Sequence, residues 1–142
     1  MSPRWEPNSE VRTGRHVVYD LHAHLVFLTK YRRGALTEEV LARCEEIMRE
    51  VCADFEAELR GFNGEDDHVH LLVRYPPKVQ LSKLVNSLKG VSSRRMRQEY
   101  DAHVRRYLWD GRFWSGSYFS GSCGGAPLAV VRQYIEQQQR PA

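Results

Sequence analysis

The sequence predicts an α+β domain in which helices cover one face of an antiparallel sheet. Two segments, 37–55 and 81–100, repeat apolar residues at three- and four-residue spacing, which is typical of amphipathic helices. The segments around them are rich in β-branched and aromatic residues, as strands are. The resulting order is strand, helix, hairpin, helix, strand, helix, which is the order of a split βαβ sandwich.

The first strand and the first helix are predicted from adjoining segments. Residues 16–29, HVVYDLHAHLVFLT, contain no Gly or Pro and predict a strand. Thr37 precedes the apolar series that ends near Phe55, and its hydroxyl suits the N-cap. Glu38 and Glu39 follow in the first turn, where acidic side chains interact favourably with the helix dipole.

A hairpin is expected next. Residues 57–62 and 68–75 predict two strands, with a turn at Asn63 and Gly64 that the acidic residues 65–67 widen. Pro76 and Pro77 then end the second strand.

The last third of the chain predicts a basic helix, a strand and a final helix. Residues 81–100 follow the helical period despite Gly90, and residues 112–119 are a candidate last strand. Pro127 suits the first position of a helix that runs to about residue 139. We expect a flexible arm over residues 1–15 and one domain over 16–142, with a ferredoxin-like, RRM-like antiparallel sheet, helices on one face and an added C-terminal helix.

Composition is that of an ordinary globular chain. Its 142 residues suit one domain, and 42% are hydrophobic. Apolar runs fall short of the roughly 18 residues of a membrane helix, and no secretory signal is visible. We therefore expect a cytoplasmic protein without membrane contact. The three cysteines lack Cys-x-x-Cys spacing, which predicts buried thiols and neither disulfides nor a zinc site.

Basic residues cluster among aromatic ones, although the formal net charge is only +3. Such a mixture suits single-stranded nucleic acid, because bases stack on aromatic rings and phosphates need countercharge. A solvated surface is the ordinary alternative for each cluster. The candidate nucleic-acid contacts are Lys30, Arg32, Arg33, Arg94 and Arg95.

Two histidine pairs have the spacing of a metal site on a strand. His68 and His70 flank Val69, so both imidazoles project from one face while Val69 turns to the core. His22 and His24 repeat the spacing. Position in the chain favours His68 and His70 only modestly. They directly follow a turn, where a site can open to solvent, whereas His22 and His24 lie inside the first strand.

The last predicted helix carries a second candidate group. Tyr134 and Gln138 are four residues apart and therefore neighbours on one helical face. Tyr134 also fits an apolar stripe with Val130, which by itself favours a core aromatic. A phenol with a pKa near 10 attacks well only where a metal or a base stabilises the phenolate.

Five segments in order resemble a known family, the single-tyrosine HUH transposases of bacterial insertion sequences. Members of this IS-two-hundred class, called TnpA, and their REP-associated relatives carry a histidine, hydrophobic, histidine motif. The matching segments are HLVFLTKYRR (24–33), DHVHLLV (67–73), LKGVSSRRMRQEY (88–100), WSGSYFSGSCGG (114–125) and QYIEQQ (133–138). Asp66 departs from the family, whose members often have proline there.

The resemblance implies roles for four residues. His68, His70 and Gln138 would ligate a divalent metal, and Tyr134 would be the nucleophile that forms a 5′-phosphotyrosine. His22 and His24 would be structural. Histidine ligands alone favour zinc, nickel or manganese, whereas the family implies Mg²⁺ or Mn²⁺.

The resemblance also implies partners: single-stranded DNA with hairpins, and a second copy in a homodimer with composite active sites. Two other classes stay open. One is a non-catalytic single-stranded nucleic-acid module, and the other is a metal-dependent hydrolase of small phosphoesters. A domesticated relative acting on repeated palindromes is a variant of the leading interpretation.

Overall fold

A four-stranded antiparallel sheet with helices on one face forms the body of the protein. The computed structural model describes residues 12–13, 18–30, 34–108, 112–122 and 135–136. Its elements are β1 (Arg12–Thr13), β2 (Val18–Tyr19), β3 (His22–Leu28), α1 (Glu38–Asp54), β4 (Glu58–Gly64), β5 (His68–Arg74), α2 (Leu81–Glu99), α3 (Asp101–Tyr107) and β6 (Phe119–Ser122). The main sheet has the order β4-β5-β3-β6, and β1 pairs with β2 separately. The predicted α+β, ferredoxin-like class is confirmed.

The core lies between the sheet and the helices α1 and α2. Because side chains alternate along a strand, every second residue of β3 and β5 faces these helices. The buried residues that meet there include Leu25, Phe27, Val69, Leu71, Ile47, Met48, Leu84 and Leu88. The opposite face of the sheet carries the intervening residues, and this is the face on which His24, His68 and His70 lie.

Helices α1 and α2 agree with the predicted bounds to within one residue. Thr37 is the N-cap of α1, and its Oγ1 accepts a 3.2 Å hydrogen bond from the N–H of Val40. Gly90 does not interrupt α2, because it lies on the solvent side, where an added Cβ would meet no atom within 4 Å.

The turn predicted at Asn63 and Gly64 is wrong, because both residues belong to β4. The chain turns over residues 65–67, where the N–H of Glu65 donates to the carbonyl of His68 (2.9 Å). Gly64 has a different role. A Cβ there would lie 2.6 Å from Cδ2 of Leu41, so glycine allows α1 to pack closely on β4.

The last strand predicted at residues 112–119 is also misplaced. Strand β6 is Phe119–Ser122, and it pairs with β3. Within the predicted range, Trp114 makes only an isolated bridge with Thr29. Phe113 and Trp114 are buried in the core, so their bulk serves packing there.

Helix α3 was not predicted, because its only buried residue, Val104, leaves no apolar period to detect. The strand predicted over 16–29 is divided into β2 and β3 at Asp20 and Leu21. Strand β1 falls inside the segment interpreted as an arm. The final helix predicted from residue 127 lies outside the described residues except for 135–136, which are helical.

Two of the three cysteines are described, and both are buried free thiols of α1, as predicted. Burial raises the pKa of Cys44 and of Cys52 to about 12. Neither is a thiolate at neutral pH, so neither is suited to nucleophilic attack. Cys123 lies outside the described residues. Across the described ranges, no helix is long and apolar enough to cross a bilayer.

Candidate active site

His68 and His70 lie together on the sheet face opposite to helices α1 and α2. Val69 between them is fully buried against the core, and the two ring centroids are 5.0 Å apart. The alternation of side chains along β5 produces this arrangement, as the sequence predicts. Two imidazoles at this separation can approach one cation from the same side.

His68 is held by the residue before it. Its Nδ1 lies 2.8 Å from Oδ1 of Asp67, and only 7% of its side chain is exposed. The carbonyl of Asp67 in turn accepts hydrogen bonds from the N–H (2.9 Å) and the hydroxyl (3.2 Å) of Thr29. A carboxylate on Nδ1 leaves Nε2 of His68 as the nitrogen available to a metal.

His70 contacts a third histidine. Its Nδ1 lies 3.1 Å from Nε2 of His24 on β3, and the two rings stack with centroids 5.3 Å apart. Burial, followed by the neighbouring His68 and His24, lowers the pKa of His70 to about 4, and burial lowers the pKa of His24. His70 is therefore neutral at physiological pH, which is the form that binds metals.

The sequence interpretation of His24 as structural does not anticipate this contact. His24 pairs with Leu72 and Val26 pairs with His70, so His24 and His70 are diagonal neighbours across the two strands. The repeated His-x-His spacing in the two strands is the sequence signal that could have indicated the contact between His24 and His70. Only the register between β3 and β5 brings the two pairs together.

His22 lies at the other end of the same face and has separate partners. Its Nδ1 is 3.0 Å from Oδ1 of Asp20, and Nε of Arg74 donates to its Nε2 (3.3 Å). Nη1 of Arg74 is 3.6 Å from Oε2 of Glu58. These contacts link the ends of three neighbouring strands, β3, β5 and β4, which suits a structural role for His22.

The two histidines supply only part of a metal coordination shell. Over the described ranges, no group of three or more His, Cys, Asp or Glu side chains is placed to hold a metal. The further ligand Gln138 and the nucleophile Tyr134 lie outside the described residues, so both assignments stay predictions. Two imidazoles on one face, one of them oriented by a carboxylate, form a donor set that fits a divalent ion such as Mn²⁺.

The predicted DNA contacts are spread over two layers of the molecule. Lys30 is half-buried at the end of β3, and its N–H donates to the carbonyl of Phe113 (2.9 Å). Arg94 is exposed on α2, whereas Nη1 of Arg95 lies 2.6 Å from Oε2 of Glu50 on α1. Both arginines belong to the helix layer, on the side of the sheet away from the histidines. Arg32 and Arg33 lie outside the described residues.

Comparison with known proteins identifies the family. The family model described as transposase IS200 like matches residues 17–138, which is most of the chain. The chain belongs to the IS200-like transposase family. The resemblance seen in the sequence is thereby confirmed, and the protein is a transposase, an enzyme of a class that cleaves and joins DNA strands.

Relatives of this IS200-like transposase are similar to it over most of their length. The ISDra2 transposase TnpA of Deinococcus radiodurans is 35% identical over 129 residues, which cover 91% of each chain. The transposase for insertion sequence element IS200 of Salmonella typhimurium is 28% identical and covers 87% of this chain and 80% of its own. A crystal structure of a Deinococcus radiodurans transposase superposes with a TM-score of 0.80 at 34% identity, covering 92% and 99%.

Proposed function

We propose that this transposase cleaves and rejoins single-stranded DNA at hairpin-marked element ends, in the cytoplasm, through a 5′-phosphotyrosine on Tyr134. His68 and His70, with Gln138, would hold the divalent metal, Mg²⁺ or Mn²⁺. The observation that supports this proposal best is the pair of imidazoles on one sheet face, with Nδ1 of His68 2.8 Å from Oδ1 of Asp67.

The histidine pair supports phosphodiester chemistry through its charge state and its position. A bound divalent cation would neutralise charge on the scissile phosphate and polarise a P–O bond. His70 contributes a neutral ring at physiological pH, because its pKa is lowered to about 4. The carboxylate of Asp67 restricts rotation of the His68 ring and leaves its Nε2 available to a metal.

Tyr134 supplies the covalent step of the proposal. Its phenol oxygen forms a bond to phosphorus while the bond from phosphorus to the 3′ oxygen breaks, and the phenol proton leaves for that 3′ oxygen. The products are a 5′-phosphotyrosine and a free 3′-hydroxyl. Attack by a 3′-hydroxyl on the phosphotyrosine reverses these bond changes and rejoins strands without an external energy source.

The proposed partner is a second copy of the chain. Tyr134 of one subunit would complete the histidine pair of the other, with Gly124 and Gly125 as the hinge before the last helix. Support comes from the family resemblance, which implies homodimers with composite active sites.

One adduct assay tests the cleavage mechanism. A hairpin-bearing oligonucleotide labelled at its 3′ end is incubated with the protein and Mn²⁺, and the products are separated on a denaturing gel. We expect a labelled protein–DNA adduct that Tyr134→Phe and His70→Ala abolish and Tyr100→Phe, the matched tyrosine control, preserves. Binding without any adduct would favour the non-catalytic module, and cleavage by Tyr134→Phe would favour a hydrolase.

Mixing two inactive variants tests the composite site. In a mixed dimer of Tyr134→Phe and His70→Ala, one site combines intact histidines with an intact tyrosine only if the tyrosine comes from the other subunit. We expect adduct formation to return on mixing and subunit exchange. Continued inactivity of verified mixed dimers would show that each subunit uses its own tyrosine.

A further inference from the structure

His24 is packed between a proposed metal ligand and the edge strand. On one side its ring stacks on His70, with an Nε2 to Nδ1 distance of 3.1 Å. On the other side the ring of Phe119 from β6 meets it edge-on, with centroids 6.0 Å apart. Strands on both sides therefore restrict where Nε2 of His24 can point.

The short contact allows two arrangements of one proton. A neutral imidazole carries one N–H and one lone pair, so one ring of the pair must donate and the other must accept. If His24 donated, Nδ1 of His70 would accept and Nε2 of His70 would carry its proton, leaving no nitrogen for a metal. If His70 donates through Nδ1–H, its Nε2 keeps a free lone pair.

His68 shows the same pattern with a different acceptor. Its Nδ1 faces the carboxylate of Asp67 at 2.8 Å, and a carboxylate only accepts at neutral pH. Both rings then present Nε2 on the same sheet face, one oriented by a carboxylate and the other by an imidazole. Partners of this kind fix the tautomer and the direction of metal-binding histidines.

We infer that His24 is a positioning residue, which accepts the Nδ1–H of His70 and so keeps Nε2 of His70 available for the divalent cation. This inference rests on the proposed metal site. His24 acts through His70 and is not itself a ligand, because its Nε2 faces the ring of His70. In agreement, the described part of the chain contains no group of three or more His, Cys, Asp or Glu side chains that could hold a metal.

The tautomer of His70 can be measured without any metal. In the full-length ¹⁵N-labelled protein, long-range ¹H–¹⁵N spectra distinguish Nδ1–H from Nε2–H, and His70→Gln identifies the signals. We expect Nδ1–H in the wild type. His24→Phe keeps the stacked ring but removes the acceptor, and we expect it to shift His70 towards the Nε2–H form. His24→Gln restores an acceptor oxygen, and we expect the wild-type tautomer of His70 to return. His22→Phe, on the same face, is the matched control.

Cation binding gives the second measurement. Titration with Mn²⁺, followed by electron paramagnetic resonance, is expected to show affinity about 10- to 100-fold weaker in His24→Phe, with His24→Gln recovering most of the loss. The inference would be overturned if His70 of the wild type were in the Nε2–H form. It would also be overturned if His24→Phe changed neither the tautomer of His70 nor the affinity for Mn²⁺. Mn²⁺ binding that His70→Ala leaves intact would instead overturn the proposed metal site, whatever tautomer His70 has.

Discussion

Oδ1 of Asp67 lies 2.8 Å from Nδ1 of His68, at the point where the chain leaves its turn and enters β5. The backbone of the same aspartate is held by Thr29 at the end of β3, through two hydrogen bonds to its carbonyl. The orientation of His68 therefore depends on β5, on the end of β3 and on the turn that leads from β4 into β5.

Removing this carboxylate should weaken metal binding. Asp67→Ala frees the ring of His68 to rotate, and we expect the affinity for Mn²⁺ to fall about 10- to 100-fold. Calorimetric titration with Mn²⁺ measures the affinity of each variant. Asp66→Ala is the matched control, because Asp66 contributes its carbonyl to the N–H of Leu36 (3.0 Å), a bond that the substitution keeps. Equal affinities in the two variants would contradict the role given to Asp67.

A second prediction concerns a buried hydrogen bond between α2 and the segment before β6. Nε1 of Trp114 donates to Oγ of Ser92 at 2.9 Å, and that hydroxyl donates to the carbonyl of Leu88 at 2.6 Å. Ser92→Ala leaves a buried indole N–H without its partner, which costs about 1–3 kcal/mol. Urea unfolding followed by tryptophan fluorescence should show this loss, while Ser93→Ala should stay close to the wild type.

A third prediction uses two glycines with opposite surroundings. In Gly64→Ala the new Cβ meets Leu41 at 2.6 Å and the carbonyl of His68 at 3.2 Å, and we expect a loss of about 1–3 kcal/mol. In Gly90→Ala the Cβ meets nothing within 4 Å, and helix propensity should add about 0.5–1 kcal/mol. Thermal and urea unfolding measure both. If Leu41→Ala fails to relieve the Gly64→Ala loss, the contact with Leu41 is not its cause.

A fourth prediction is the pH dependence of stability without metal. In the folded protein the pKa of His70 is lowered from 6.5 to about 4, chiefly by burial. Between these values the unfolded chain binds the proton more readily than the folded one. The contribution of His70 is therefore complete above about pH 6.5 and is lost as the pH falls towards 4.

Urea unfolding at a series of pH values from 7 down to 4.5 tests this sign. The wild type should lose stability as the pH falls, and His70→Gln, which cannot take up a proton, should lose less over the same interval. The remaining slope of that variant includes His24, whose pKa burial also lowers. A slope unchanged by His70→Gln would show that His70 does not carry the effect.

Local patterns in the sequence determined the two long helices and the orientation of the histidine pair. The apolar period and the Thr37 cap define α1, and the same period defines α2. The alternation of side chains along a strand was enough to place His68 and His70 on one face, with Val69 turned inward. Each of these features depends on residues within a few positions of one another, so the sequence shows it directly.

Other features depend on contacts between distant residues, and only the tertiary structure decided them. Gly64 lies in a strand because it pairs with Val69, and α1 packs closely on it. The aromatic segment at 113–114 fills the core, while β6 forms later in the chain. The meeting of His24 with His70 follows from the register of β3 on β5, 46 residues apart in sequence. That register is selected by burial of one whole face of the sheet, since a slip of one residue would expose every core side chain of the strand.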